Sequence, residues 1–426
     1  MLSKNNKIHK NLIELIIIFF PISLLFSNII SELLIFFLLI FYFKFLKLDT
    51  LNYILKDPII KFLLFFWIYL ILNYFINFNN NPSLERSLFF VRFPLLILAV
   101  SFFINNLNID LNKIYKYWLI IVTIICIDLI FQFYNHKNLI GYEAVIQGPI
   151  YRLGGFMDDE LKISNLLFQF GALSFSFFIF KKNFKKKLNN VIIISFLFLL
   201  IISIFLTGER ANFLTVCSFT VLLIVYFGFK KKEFFIILST SFLFFFVLVA
   251  LSNSELSNRM FKNLIVEKNK IFYSHENKSF LYKNSRYFAH YSTAYQIFED
   301  NKLFGVGIKN FRNYCDNDSF NDEIWPGWQE RNCSTHPHNY YFELLSELGL
   351  IGFIILNSFF LFSLYSFLKI FLKSKNSYLI ISSLILLVYF IPFLPKGSFF
   401  TNWNAMIFWT VFSFIYSNYI KLKNTK

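Results

Sequence analysis

Long apolar runs recur along this sequence, and they limit its fold more strongly than any other feature. Many of them reach about 18 residues, the length at which an α-helix crosses the ~30 Å hydrocarbon core of a bilayer. Hydrophobic residues make up 57% of the chain and charged residues only 15%, a balance that excludes an ordinary soluble globular protein. We predict an all-α polytopic membrane protein with about 12 transmembrane helices. The predicted spans cover, approximately, residues 12–27, 29–46, 59–78, 84–104, 114–134, 161–180, 190–207, 210–229, 233–251, 339–368, 377–394 and 404–420.

The lysines predict how these spans are oriented. If the N-terminus is cytoplasmic, most lysines between spans fall on the cytoplasmic side, which is the positive-inside pattern. The net charge of +16 therefore reports on orientation and does not indicate a nucleic-acid partner. We expect the first apolar run to be a span and not a cleaved signal peptide, because it lacks a small-residue cleavage site and another span follows at once.

Two less apolar segments lie outside the membrane in this topology. They are residues 135–160 and the longer stretch 252–338, whose acidic and basic residues are nearly balanced, as in a folded soluble subdomain. The sequence "TAYQIFEDNKLFGVGIKNFRNY" predicts an amphipathic helix, a glycine turn and a second helix. We therefore divide the chain into transmembrane helices 1–9 (1–251, including 135–160), a mainly helical loop subdomain (252–338) and transmembrane helices 10–12 (339–426).

Two cysteines, Cys315 and Cys333, fall in this external subdomain. An oxidising exterior permits a disulfide between them, and closing a loop of this length is worth about 3 kcal/mol in the chain-entropy model. The alternative is a zinc site that uses the same cysteines with His336 and His338. Because "CSTHPH" lacks the spacing of a usual structural zinc module, we predict the disulfide and no metal.

Several arginines stand where the positive-inside rule does not explain them. They lie on the external side or at the outer ends of spans, where an ionisable residue is costly and is a functional candidate by default. The alternative for each is a plain ion pair, a headgroup contact or a solvated position, such as a pair between Arg210 and Glu209. These arginines are Arg86, Arg92, Arg152, Arg210 and Arg286. Arg86 and Arg92, at i and i+6, are not expected to share one tight helix face, and "RFP" places a helix-bending proline after Arg92.

His338 is the candidate for acid–base chemistry. We expect Thr335 to cap a helix whose first turn contains Pro337, which places His338 at the N-terminus of the tenth span. A positive helix terminus lowers the pKa of an imidazole, and a neutral histidine can accept a proton from a hydroxyl. A capping or headgroup-level histidine is the alternative. His336 would point elsewhere, because residues two apart do not share a helix face.

The helix after His338 carries an unusual polar pattern. Glu343 and Glu347 are four residues apart and share a face, and Gly349 and Gly352 follow them. This pattern predicts a tightly packed helix with a polar interior seam. The external side thus combines several arginines, a histidine and a soluble loop. That combination suits a polyanionic, lipid-linked donor, because arginine binds diphosphate in a bidentate manner.

These motifs resemble a known family. His338–Asn339, with Gly349 and Gly352 downstream, resembles the motif that closes the large periplasmic loop of O-antigen ligases and their polymerase relatives. "TGERANFLT" is similar to the family's arginine motif, and "SRYFAHYSTAYQIFEDNKLFGVGIKNFR" is similar to the stretch before the histidine. "DLIFQFYNHKNLIGYE" and "YRLGGFMDDE" resemble the family's earlier external segment. The similarity covers most of residues 80–355.

The resemblance implies a metal-independent, cofactor-free, inverting glycosyltransferase of the GT-C type in the bacterial inner membrane, with a periplasmic active site. It would move glycan from undecaprenyl diphosphate to a lipid A-core sugar during lipopolysaccharide biosynthesis. By match to the family motifs, Arg210 and Arg286 would hold the diphosphate and His338 would activate the acceptor hydroxyl. Arg86, Arg92 and Arg152 are weaker assignments to the same role.

Three alternatives stay open at the level of sequence. A polysaccharide polymerase of the same superfamily has a lipid-linked acceptor, and a ligase relative could glycosylate protein. A transporter or flippase belongs to another class, since about 12 spans also suit secondary transporters. Against a transporter, the sequence shows no internal repeat and carries a long external loop.

Overall fold

The computed structural model describes the chain as a helical bundle. The described residues are 4–46, 56–80, 82–147, 150–180, 186–228, 232–251, 255–262, 286–315, 333–374, 376–392 and 394–424. The helices before the first external segment are α1 (Lys4–Phe26), α2 (Asn28–Phe45), α3 (Pro58–Ile76), α4 (Leu84–Phe89), α5 (Arg92–Asn105) and α6 (Leu111–Asn135). The next are α7 (Ile163–Phe180), α8 (Lys186–Leu206), α9 (Arg210–Gly228) and α10 (Lys232–Leu251). The remaining helices are α11 (Glu255–Ser257), α12 (Arg286–Asp300), α13 (Phe311–Tyr314), α14 (Tyr340–Ser374), α15 (Ser377–Tyr389) and α16 (Asn402–Asn424).

Six helices are long and apolar enough to cross a bilayer, judged by length and composition. They are Ile8–Phe26, Asn28–Phe45, Pro58–Ile76, Leu84–Asn105, Leu111–Asn135 and Tyr340–Ser374, and shorter apolar helices accompany them. Large apolar side chains such as Phe36, Phe43 and Leu361 are exposed on these helices, as expected where the solvent is lipid. A multi-pass helical membrane protein is thus confirmed, whereas the count of about 12 spans stays a prediction.

The core lies between α5 and α16, which make the most extensive helix pair. Trp409 on α16 is fully buried, and it stacks on Phe93 at a centroid distance of 6.1 Å. Phenylalanine side chains thus pack in the interior and also cover the lipid-facing surface.

The structure is mainly helical, as predicted, but residues 135–160 contain a short β-hairpin. There β1 (Val145–Gln147) and β2 (Ile150–Arg152) form an antiparallel hairpin, with Val145 opposite Arg152. β-Branched residues on both sides of a Gly-Pro turn sequence favour strands over helix. The hairpin places Arg152 at the end of a strand.

The predicted fourth span is broken within its first turns. α4 ends at Phe89 and α5 begins at Arg92, so the bend lies before Arg92 and not after it. Pro94 lacks the N–H that would bind the carbonyl of Phe90, and its ring crowds that carbonyl. The N–H of Phe93 instead donates to Phe90 O at 3.0 Å, which is a tighter turn.

The loop "LFGVG" docks onto α14 at a second break. Gly349 has φ 65° and ψ −171°, which interrupts the helix. The N–H groups of Val306 and Gly307 donate to the carbonyls of Ser346 and Glu347 at 3.0 and 2.8 Å. A Cβ on Gly305 would lie 2.5 Å from the carbonyl carbon of Glu347, so this close backbone contact requires glycine.

The described part of the loop subdomain has its own small core. Ala294 and Ile297 of α12 pack with Val306, Phe311 and Cys315. α12 also lies against α14, so the subdomain rests on the helix that follows His338.

Candidate functional site

His338 lies just before α14 and not inside it. Its φ of 55° is left-handed, a conformation uncommon for residues other than glycine. The side-chain oxygen of Asn339 accepts hydrogen bonds from the N–H groups of Tyr341 and Phe342 at 2.9 and 3.4 Å. Asn339 therefore caps the helix, and the predicted roles of Thr335 as cap and Pro337 as a first-turn residue are wrong. A chain reversal at His338 separates both residues from the helix.

Aromatic rings surround His338. The ring centroids of His336, His290 and Tyr287 lie 4.1, 5.3 and 5.7 Å from that of His338. The prediction that His336 points elsewhere is wrong, because it assumed a helix where the chain turns. Burial is the main cause that lowers the pKa of His336, to about 3, and the nearby His338 and Lys309 contribute less. His336 is thus a neutral packing partner of His338.

Lys396 is a member of this site that the sequence interpretation missed. Its N–H donates to the carbonyl of His338 at 2.7 Å, and its Nζ donates to Thr215 Oγ1 of α9 at 2.7 Å. Burial lowers the pKa of Lys396 to about 7, against an opposing effect of Glu209. A signal existed, because Lys396 follows the eleventh predicted span on the external side, where the positive-inside rule does not explain a lysine.

Arg152 and Arg210 lie near each other. Arg152 Nε donates to Thr207 O at 3.5 Å, just before the turn at Gly208 that starts α9 at Arg210. Burial lowers the pKa of Arg152. The nearby Glu209 and Tyr287 raise this pKa, and the nearby Arg210 lowers it. Arg152 therefore lies near both Arg210 and Tyr287, the ring that contacts His338.

Glu209 is the acidic group of this region. Its carboxylate accepts hydrogen bonds from the Ser164 N–H at 3.4 Å and the Asn212 amide at 2.7 Å. Burial raises the pKa of Glu209, while these hydrogen bonds and Arg152 lower it. Arg152, Arg210 and Lys396 together outnumber this carboxylate, so the region has an excess of positive charge. We call Arg152, Arg210, Tyr287, His338 and Lys396 the histidine cluster.

The predicted residue Arg286 begins α12, and its side chain lies outside the described residues. Its neighbour Tyr287 belongs to the histidine cluster, so the backbone places Arg286 beside it.

Arg86 and Arg92 lie in a second region, around Asn402. Both donate to the side-chain oxygen of Asn402, at the start of α16, and the Arg92 distance is 3.1 Å. Arg92 also forms an ion pair with Glu32 at 3.0 Å. The two arginines converge although their spacing does not place them on one tight helix face, because the chain breaks between α4 and α5. We call Arg86, Arg92 and Asn402 the arginine cleft.

Cys315 and Cys333 are joined by a disulfide, with their Cα atoms 5.2 Å apart. Ser334, next to Cys333, lies with its hydroxyl 3.4 Å from His338 Nε2, so the bridge anchors the chain just before the histidine. In the part of the chain that the structure describes, no group of three or more His, Cys, Asp or Glu side chains could hold a metal ion.

The two glutamates of α14 form a polar seam that joins both regions. Glu347 accepts hydrogen bonds from the N–H groups of Lys309 and Phe311 at 2.7 and 3.3 Å. Glu343 accepts from the Ser398 hydroxyl and, at 2.8 Å, from the Phe399 N–H. Glu343 therefore fixes the segment from Lys396 to Asn402, which links the two regions, and Glu347 fixes the loop after α12.

Comparison with known proteins agrees with the sequence motifs. No curated protein matches the chain. Residues 195–357 match the family model described as O-Antigen ligase, a range that contains Arg210, Arg286, His338 and both glycines of the α14 motif. This part of the chain is thus similar to the O-antigen ligase family.

Proposed function

We propose that this protein is an O-antigen ligase-like glycosyltransferase of the bacterial inner membrane. It transfers a glycan from undecaprenyl diphosphate to a sugar hydroxyl of the lipid A core at the periplasmic face. The observation that carries this proposal is the histidine cluster, in which a histidine outside any helix contacts Tyr287, and basic residues lie near that tyrosine and the backbone of the histidine. Similarity to the family supports ligase- or polymerase-type chemistry.

The proposed transfer reaction follows from the charges of the side chains in the histidine cluster. His338 takes the proton of the acceptor hydroxyl as its oxygen attacks the anomeric carbon of the donor sugar. The bond between that carbon and the diphosphate oxygen breaks on the opposite face, which inverts the configuration. Negative charge builds up on the leaving diphosphate, and Arg152, Arg210 and Arg286 stabilise it by charge-assisted hydrogen bonds. A positioned base contributes about 10²- to 10⁴-fold.

Deletion of the gene tests the proposal in cells. A ligase deletion leaves long-chain polymer on undecaprenyl diphosphate and lipopolysaccharide without polymer. Accumulation of single repeat units would instead identify a polymerase, the runner-up in the same superfamily. Unchanged glycolipids would contradict both.

Purified protein tests the mechanism. We expect transfer from a polyprenyl-diphosphate glycan to a core acceptor in detergent, with inverted linkage in the product. Transfer that survives a chelator supports the metal-independent mechanism, and loss that added metal restores would contradict it.

A further inference from the structure

In the arginine cleft, two positively charged side chains donate hydrogen bonds to the same neutral oxygen. Arg86 and Arg92 both donate to Asn402 Oδ1, and their positive charges are close enough to act on each other. Among the described residues, Glu32 is the only acidic side chain that pairs with either arginine. The cleft therefore keeps an excess of positive charge.

The donors of Arg92 are only partly satisfied. Nη1 donates to Phe89 O at 2.9 Å and Nη2 to Glu32 and Asn402. Its Nε is buried and has no hydrogen-bond partner in the described part of the chain. A buried donor without a partner costs about 1–3 kcal/mol, so this arrangement is better explained as a binding site than as a structural brace.

A cavity adjoins these guanidinium groups. It is small, with about 10 Å³ of free space, room for about one water molecule. Its polar lining is Arg86, Arg92 and Asn402, and its apolar lining includes Phe90, Ile308 and Phe400. The two guanidinium groups match the charge of a small anionic group, which would enter as the side chains around the cavity move apart.

The arginine cleft also contacts the chain that follows α12. Ser83, the cap of α4, donates its N–H to Ile308 O at 3.5 Å, so the cleft borders the loop subdomain. The chain from Lys396 to Asn402 can span at most about 20 Å. An acceptor of several sugars can bridge that distance, with one hydroxyl at His338 and a charged group in the cleft.

We propose that the arginine cleft binds a phosphate group, and that this phosphate belongs to the acceptor glycolipid. Phosphate matches the converging forks of two arginines better than a carboxylate does, because it offers more acceptor oxygens. The inference rests on the proposed function, and it reassigns Arg86 and Arg92 from the donor diphosphate to the acceptor.

One substitution separates this proposal from a structural role. Asn402→Asp puts a carboxylate between the two arginines, which would strengthen a structural brace and repel a phosphate. We expect Asn402→Asp to keep or raise the melting temperature and to raise the KM for a phosphorylated acceptor at least 10-fold. Glu32→Gln removes the competing carboxylate and should lower that KM. An unchanged KM in both variants would overturn the proposal.

The assay uses a core glycolipid with and without its phosphate groups, in a detergent free of phospholipid. The KM effects should appear only with the phosphorylated acceptor, and the KM for the donor should stay unchanged. If the effects appear only on adding anionic phospholipid, whatever the acceptor, the cleft binds a bilayer headgroup and the assignment to the acceptor is wrong. Direct binding of the phosphorylated glycolipid, measured by native mass spectrometry, tests the cleft even if the protein shows no transfer.

Discussion

The histidine cluster and the arginine cleft contain the same type of charged residue but differ in what surrounds it. In the cluster, Arg152 and Arg210 lie near a histidine whose backbone is left-handed and a lysine that is fully buried. In the cleft, Arg86 and Arg92 share a neutral amide and one carboxylate. Among the residues described, only the first region contains an imidazole. This difference is the reason why we propose catalysis in the first region and binding in the second.

His338→Ala gives the largest expected effect. Transfer should fall about 10²- to 10⁴-fold, the usual contribution of a general base, while the protein stays folded and inserted. The measurement is kcat for glycan transfer together with the melting temperature in detergent. His9→Ala, at a histidine on α1 that pairs with Lys44, is the matched control and should leave transfer unchanged. Near-normal transfer by His338→Ala would remove the base from the mechanism.

Gly349→Ala tests the scaffold that joins the two regions. A Cβ there would meet the backbone of Leu303 at 2.4 Å, at a φ of 65°. Left-handed strain of about 1–2 kcal/mol and overpacking of about 1–3 kcal/mol should both lower the free energy of unfolding. Gly141→Ala, at φ 100° with nothing within 4 Å, should suffer only the strain. Equal melting temperatures for the two variants would mean that the loop does not dock as described.

The proposed difference between the histidine cluster and the arginine cleft would be contradicted if Arg210→Lys and Arg92→Lys had the same effect on the kinetics. Both keep the charge and lose the bidentate fork. Losing one hydrogen bond to a charged group costs about 1.5–3 kcal/mol, so kcat/KM for the donor should fall about 10- to 100-fold in Arg210→Lys. Arg92→Lys should leave the donor kinetics near wild type and affect the acceptor KM. The test is a pair of substrate titrations for each variant.

The last prediction is the pH dependence of stability caused by Lys396. Its pKa is about 7 in the folded protein and near that of a free lysine when unfolded. The unfolded chain then binds more protons above pH 7, so stability should rise as the pH increases from about 7 towards 10. Lys396→Met, which cannot titrate, should flatten this part of the curve of melting temperature against pH. A rise of equal size in the variant would assign it to another group.

The sequence predicted the class of fold because each membrane-spanning helix is formed by one continuous stretch of the chain. An apolar run of sufficient length indicates a span by itself, and misplaced charges such as Arg210 are visible without knowing their neighbours. The same reasoning selected His338 and Cys315–Cys333. It failed where the result depended on backbone conformation, as in the hairpin that carries Arg152 and the bend between Arg86 and Arg92.

By itself, the sequence determined a helical membrane protein with motifs similar to those of O-antigen ligases, because span length, charge distribution and motif spacing lie along the chain. Tertiary structure alone decided which arginines join the histidine and which join each other. That choice depends on Gly349, on the left-handed turn at His338 and on the segment from Lys396 to Asn402. These contacts connect residues far apart in sequence, and no local pattern encodes the docking that brings them together.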